Sequence, residues 1–182
     1  MGCACSASSF PGSLHRFGAL RNTKAEDLTP RQKYILRETW NSVVEAYRQD
    51  LGISVFKRFL TMNPELKIYF KEFRSVPISE ITDRHGHPNR LMTAIDEAVK
   101  EMGNSDTFYA YLYELGIRHG GFKLVISRTH FDDLRKCFVS CIMALLDGTI
   151  PFDNIEVEKA WTALFCTIST VMLKGISQHH SV

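Results

Sequence analysis

The chain has 182 residues, 45% of them hydrophobic and 23% charged, with a formal net charge of +2 at neutral pH. That is enough apolar side chain for one globular core, and too little positive charge, with no basic stripe interleaved with aromatics, to point to nucleic acid. The start lacks the basic head and apolar stretch of a secretory signal, and five cysteines without framework spacing argue against a disulfide scaffold, so a cytosolic compartment is expected.

The first element is a tail. Residues 1–27 are rich in Ser, Gly and Ala and show no helical period, so a flexible segment is expected. Its opening "MGCACS" has glycine second and serine sixth, the pattern for N-myristoylation at Gly2. Cys3 and Cys5 are placed for palmitate. A single myristoyl chain binds membranes only marginally, with a constant on the order of 10⁴ M⁻¹. A second acyl chain, or Arg16, Arg21 and Lys24 against an anionic leaflet, makes attachment stable. The competing reading is an unmodified start with two exposed thiols.

Helices follow. In "LTPRQ", Thr29 suits an N-cap and Pro30 the first helical position. Leu36, Trp40, Val43, Val44 and Tyr47 then recur at helical spacing. Leu51, Val55, Phe56, Phe59 and Leu60 mark a second helix, stopped by Pro64. "ELKIYFKEF" is a short aromatic turn, and "RSVPISEITDRHGHPN" is a loop. Leu91, Ile95, Ala98, Val99 and Met102 form a third stripe; Phe108, Leu112, Leu115 and His119 a fourth, ended by Gly120 and Gly121. Phe131, Leu134, Phe138, Ile142 and Leu145 form a fifth, and Val157, Trp161, Leu164, Ile168 and Met172 the last. No alternating run demands a strand. The expectation is an all-α domain of six or seven helices over residues 28–177, with a short C-terminal tail over 178–182. The longest apolar run, "WTALFCTISTVML", falls short of the roughly 18–20 residues a membrane span requires.

Cys137 and Cys141 lie four residues apart on one helix and read as small buried thiols rather than a metal pair. Cys166 reads as core. His130 opens a helix and reads as a surface or cap residue. His119 closes the apolar face of its helix beside two glycines. Such a histidine is either a packed or capping residue, or a metal ligand beside a place where a large planar group can approach.

Taken together these features resemble a globin. Trp40 sits in the first helix. "FKRFLTMNPELKIYF" resembles the passage from the second globin helix to its aromatic corner, with Phe70 six residues after Pro64. "RLMTAIDEAV" resembles the distal helix and "YLYELGIRHGGFKL" the proximal helix. The resemblance covers roughly residues 28–177 and implies a globin fold with haem b as cofactor. It makes His119 the proximal iron ligand and Phe70 the ring that stacks on the haem. Phe56 and Leu91 then fall on the distal side, and Leu115, Val125 and Phe131 join the cofactor's lining. His87, 32 residues before His119, becomes the distal histidine, bound to iron or hydrogen-bonded to an iron ligand. His85 competes for that role. Pro88 disfavours a helical conformation at His87, which is then expected to cap the helix. Arg90 or Lys123 would meet the haem carboxylates.

The spacing of the two histidines and the acylation pattern resemble the neuroglobin-like branch and the membrane-attached, globin X-like globins. That implies a protein on the cytoplasmic face of the plasma membrane, binding oxygen, nitric oxide or similar small ligands, with membrane lipids and a reductase or other electron partner. Redox, electron-transfer or signalling work is implied, with nitrite reduction as a side activity rather than a classical enzyme's turnover. A reversible oxygen carrier or store, and a haem-free interaction module on the globin scaffold, are the alternatives.

Overall fold

The computed structural model describes residues 27–43, 45–82, 86–122 and 126–179. Among them are six α-helices and no strand: α1 Pro30–Ser42, α2 Glu45–Met62, α3 His87–Glu101, α4 Ser105–Gly120, α5 Arg128–Leu146 and α6 Asn154–His179. Two 3₁₀ turns, Pro64–Tyr69 and Ile78–Glu80, join α2 to α3. The all-α expectation holds. Gly2, Cys3, Cys5, His85, Lys123 and Val125 lie outside the described residues.

Local chemistry sets the boundaries. The Thr29 hydroxyl accepts the Gln32 N–H at 3.2 Å while the Gln32 side chain accepts the Thr29 N–H at 2.9 Å, a reciprocal cap that satisfies donors otherwise left open at a helix start. Helix α2 stops two residues before Pro64, as a residue preceding proline leaves the helical region. The His130 ring caps α5 by accepting the Ser127 N–H at 3.2 Å, the capping role expected of it.

The core centres on three rings from three helices. Trp40 and Trp161 lie 5.8 Å apart between centroids, and Phe138 sits 5.2 Å from Trp161 and 6.5 Å from Trp40. Each indole N–H finds an acceptor, Trp40 on Asp96 at 2.9 Å and Trp161 on Thr39 at 3.2 Å, which removes the cost of burying it. Helix α6 is long and apolar enough to cross a membrane by length and composition. Its apolar side chains, among them Val157, Trp161, Leu164 and Met172, are instead buried in this core. It also runs to His179, past the expected boundary at residue 177. Cys166 on this helix is exposed, against expectation. It directly follows the buried Phe165, and one step around a helix turns it off the core stripe.

Helix α4 lies hard against α6 at two glycines. A Cβ at Gly116 would fall 2.2 Å from the Met172 carbonyl oxygen, and one at Gly175 would fall 2.2 Å from that of Tyr113. The Gly120–Gly121 pair does end α4, but Gly121 has a right-handed φ of −71° and is no left-handed cap. The glycine matters at Gly120, where a Cβ would meet the His179 Cβ at 2.6 Å. The space Gly120 leaves is therefore filled by α6, not kept for a planar ligand as the sequence suggested.

Candidate ligand-binding site

The site is built between the turn after α2, the start of α3 and the end of α4. Pro64 opens a 3₁₀ turn, Pro64–Tyr69, that delivers Phe70 against α2. Phe70 stands edge-on to Phe56 at 5.2 Å, and Phe73 packs on both, at 5.5 Å from Phe70 and 5.7 Å from Phe56. Phe73 is fully buried and was not singled out from the sequence. Its position three residues after Phe70, within one helical turn, was the available signal.

His87 is the first residue of α3, not an outlying cap. Pro88 occupies the second position, where a missing N–H leaves no hydrogen bond unmade, so the helix starts ahead of the proline. The His87 ring rests on the aromatic cluster, 4.9 Å from Phe56 and 4.7 Å from Phe70. Arg90, one turn on, points its guanidinium at His87 Nδ1 at 3.1 Å and pairs with the Glu72 carboxylate. Glu72 is a further residue that periodicity does not reveal. Burial works against its ionisation, but its own backbone N–H and Arg90 outweigh this and hold its carboxyl below the usual range.

His119 stands on the facing helix. Its Nδ1 lies 2.8 Å from the Leu115 carbonyl oxygen, one turn back. A carbonyl only accepts, so Nδ1 carries the proton and Nε2 keeps a lone pair. The Phe122 ring lies 6.1 Å from the imidazole. Leu91 and Leu115 are partly buried against the core, and Phe131 is buried.

Both imidazoles are held neutral. Burial, then the Arg90 and His119 charges, push His87 down to about 4, against an opposing pull from Glu72. Burial also lowers His119, with Arg118 adding to it and the Leu115 carbonyl opposing. The consequence for stability has a definite sign. An unfolded chain protonates His87 near 6.5, the folded one only near 4. For the polypeptide alone, its contribution is therefore complete above pH 6.5 and is lost as pH falls towards 4, by about 2–3 kcal/mol at pH 4.5. Urea unfolding at pH 7.5 and 4.5 measures the loss, and His87→Leu is expected to reduce that slope by the His87 share, leaving the share that the lowered His119 contributes.

A solvent-open groove of ≈ 430 Å³ between α2 and α5, lined by Lys57, Arg58, Met62 and Cys137 among others, shares no residue with this cluster. Among the described residues, no group of three or more His, Cys, Asp or Glu side chains is arranged to hold a metal.

Comparison with known proteins places the fold in a family. The sequence model of the globin family matches residues 53–172. Cytoglobin-2 of Oryzias latipes is 26% identical over 153 residues, covering 81% of this chain and 82% of its own length. Hemoglobin subunit zeta of Sus scrofa is 25% identical over 146 residues, covering 80% and 96%. The crystal structure of hemoglobin component V from Propsilocerus akamusi superposes with a TM-score of 0.68 at 18% identity, over 86% of this chain and 97% of that one.

Proposed function

The chain belongs to the globin family, and from that premise we propose that it is a haem protein that binds oxygen, nitric oxide or similar small ligands at a membrane surface. The observation that carries the reading is the Nδ1–H bond from His119 to the Leu115 carbonyl at 2.8 Å. It fixes the ring and leaves Nε2 as a lone-pair donor, the chemistry an axial iron ligand requires. The aromatic and aliphatic surroundings suit a large apolar plate that brings four nitrogen ligands of its own.

His119 would hold haem b from the proximal side. Phe70, Phe56, Leu91, Leu115 and Phe131 would bury it and exclude water, with Val125 joining them on sequence grounds. His87 would face the opposite side of the plate. When bound, haem iron supplies an open coordination position and one-electron chemistry, tuned by axial ligand and burial. The chain's own residues orient the ligands, keep the pocket dry and hold the protons on the two imidazoles.

Attachment to the cytoplasmic face of the plasma membrane rests on the first six residues: Gly2 for myristate, Cys3 and Cys5 for palmitate. A bulk oxygen store gains little from such an anchor. The anchor favours redox, electron-transfer or signalling work near the membrane, with electrons from a reductase and nitrite reduction as a side activity. An absorption spectrum of the purified full chain with added haem tests the first half of the proposal: a Soret band is expected, and its absence would leave only a haem-free scaffold. The second half is tested by Gly2→Ala, which is expected to move most of the protein from membrane to soluble fractions of expressing cells. Unchanged membrane residence would end the anchor reading.

A further inference from the structure

We propose that Arg90, held by Glu72, locks His87 in the tautomer with its proton on Nε2, so that His87 donates a hydrogen bond to a ligand in the sixth position, and that release of Arg90 frees His87 to bind the iron itself. The inference rests on the haem reading above and deepens it.

A guanidinium has five N–H donors, no acceptor and no accessible deprotonated form. Arg90 Nη2 lies 3.1 Å from His87 Nδ1. Nδ1 must therefore present its lone pair, and a neutral imidazole in that position carries its one proton on Nε2. His119 shows the opposite arrangement. Its Nδ1 faces a carbonyl oxygen at 2.8 Å and is protonated, leaving Nε2 bare. The two histidines are thus held in opposite tautomers by their neighbours. One presents a lone pair, the form that ligates a metal. The other presents an N–H, the form that steadies a polar ligand.

For His87 to coordinate iron, Nε2 must lose its proton and Nδ1 must gain one. Nδ1–H would then face an N–H of Arg90, donor against donor. Either the charge-assisted bond is given up or the guanidinium swings away. Loss of a hydrogen bond to a charged group corresponds to about a ten- to a hundredfold shift in an equilibrium. The clamp has the parts it needs. Glu72, in the chain between α2 and α3, accepts from the same nitrogen, Arg90 Nη2, that faces His87 Nδ1, so the carboxylate fixes the donor in place. Gly86 leaves room for it, since a Cβ there would fall 2.9 Å from Arg90 Nη1. Arg90 is accordingly a positioning residue acting through His87.

The test compares the full-length haem-loaded protein with Arg90→Ala, Arg90→Lys and Glu72→Gln. In the unliganded ferrous state, Arg90→Ala is expected to raise the ratio of low-spin six-coordinate to high-spin five-coordinate iron about ten- to a hundredfold. Arg90→Lys, which keeps a charged donor, should restore most of the wild-type ratio, and Glu72→Gln should fall between. In a His87→Leu background, Arg90→Ala should change nothing. Carbon monoxide complexes give a second readout. An Nε2–H donor lowers the C–O stretching frequency, so the band should rise in Arg90→Ala. Spectra and C–O bands identical to wild type, or a fall in the low-spin fraction, would overturn the proposal. If the wild type binds no haem, it is the haem reading that fails. The tautomer is then read from the ring nitrogens of His87 by ¹⁵N NMR of the polypeptide, where a mixed or Nδ1–H state in wild type would overturn the lock.

Discussion

His119→Ala is expected to abolish stable haem retention, with the Soret band lost on gel filtration and affinity reduced by more than about a hundredfold. Removing an outer-shell partner of a metal ligand already costs about 10–100-fold, and this change removes the ligand. His179 packs beside Gly120, next to His119, so His119→Ala/His179→Ala is the control for a substitute ligand on that side. His87 is turned towards Phe56 and Phe70 on the opposite wall, and its Nδ1 is engaged by Arg90. Helix α4 should survive, because alanine favours a helix and the Leu115 carbonyl is close enough to its end to be hydrated. Circular dichroism of the variant should therefore match the haem-free wild type. Stable haem retained in His119→Ala through gel filtration would show that the wrong histidine has been assigned. Leu115→Pro would be uninformative, since it breaks the helix along with the hydrogen bond.

Gly116→Ala is the second large effect, expected to cost about 3 kcal/mol or more of stability, at or beyond the upper end of what overpacking usually costs. The new methyl would lie 2.2 Å from the Met172 carbonyl oxygen and 2.8 Å from the Met172 Cα. Those are backbone atoms of a long buried helix, so nothing flexible can step aside. The helices must separate, and α4 carries His119 one turn beyond the contact. Haem affinity should fall together with stability. Gly175→Ala, whose methyl would meet the Tyr113 carbonyl at 2.2 Å, should behave alike. Gly121→Ala is the control. Its nearest neighbour would be 3.6 Å away, an ordinary contact, and its φ of −71° suits any residue, so a change within about 0.5 kcal/mol is expected. Thermal unfolding of the three variants, with and without haem, separates a packing effect from a ligand effect. Equal melting temperatures for Gly116→Ala and Gly121→Ala would refute the close crossing.

These two predictions differ in how far the sequence could reach. His119 stands out by its place at the end of an apolar stripe, and Pro64 with Phe70 marks a corner that the 3₁₀ turn reproduces. Helix positions were equally legible at Thr29, Pro30 and Pro64. Caps and prolines act on backbone groups within four residues, and apolar spacing of three and four reports one helix face. Such signals are written locally and survive without knowledge of partners.

What only the tertiary structure decided is which residues meet across elements. Pro88 argued against a helical His87, yet the helix begins there because proline costs nothing in the first turn. Cys166 sat in an apolar run and faces outward, since a run gives no phase. Gly120 looked like room for a ligand and is room for α6. Arg90 lies one helical turn from His87, but Glu72 is eighteen residues before Arg90 and on no apolar stripe, so no periodicity joins it to either. Their contact depends on the angle at which α3 leaves the preceding loop. Composition and period therefore determined an all-helical domain with a histidine at the end of one apolar stripe, and the resemblance carried by the Pro64–Phe70 corner pointed to the globin family, which the family match shows. Each ring faces an atom one turn away on its own helix, the Leu115 carbonyl for His119 and Arg90 Nη2 for His87; what only the tertiary structure decided is that Glu72 holds Arg90, because residues eighteen apart meet only through the path the chain takes between them.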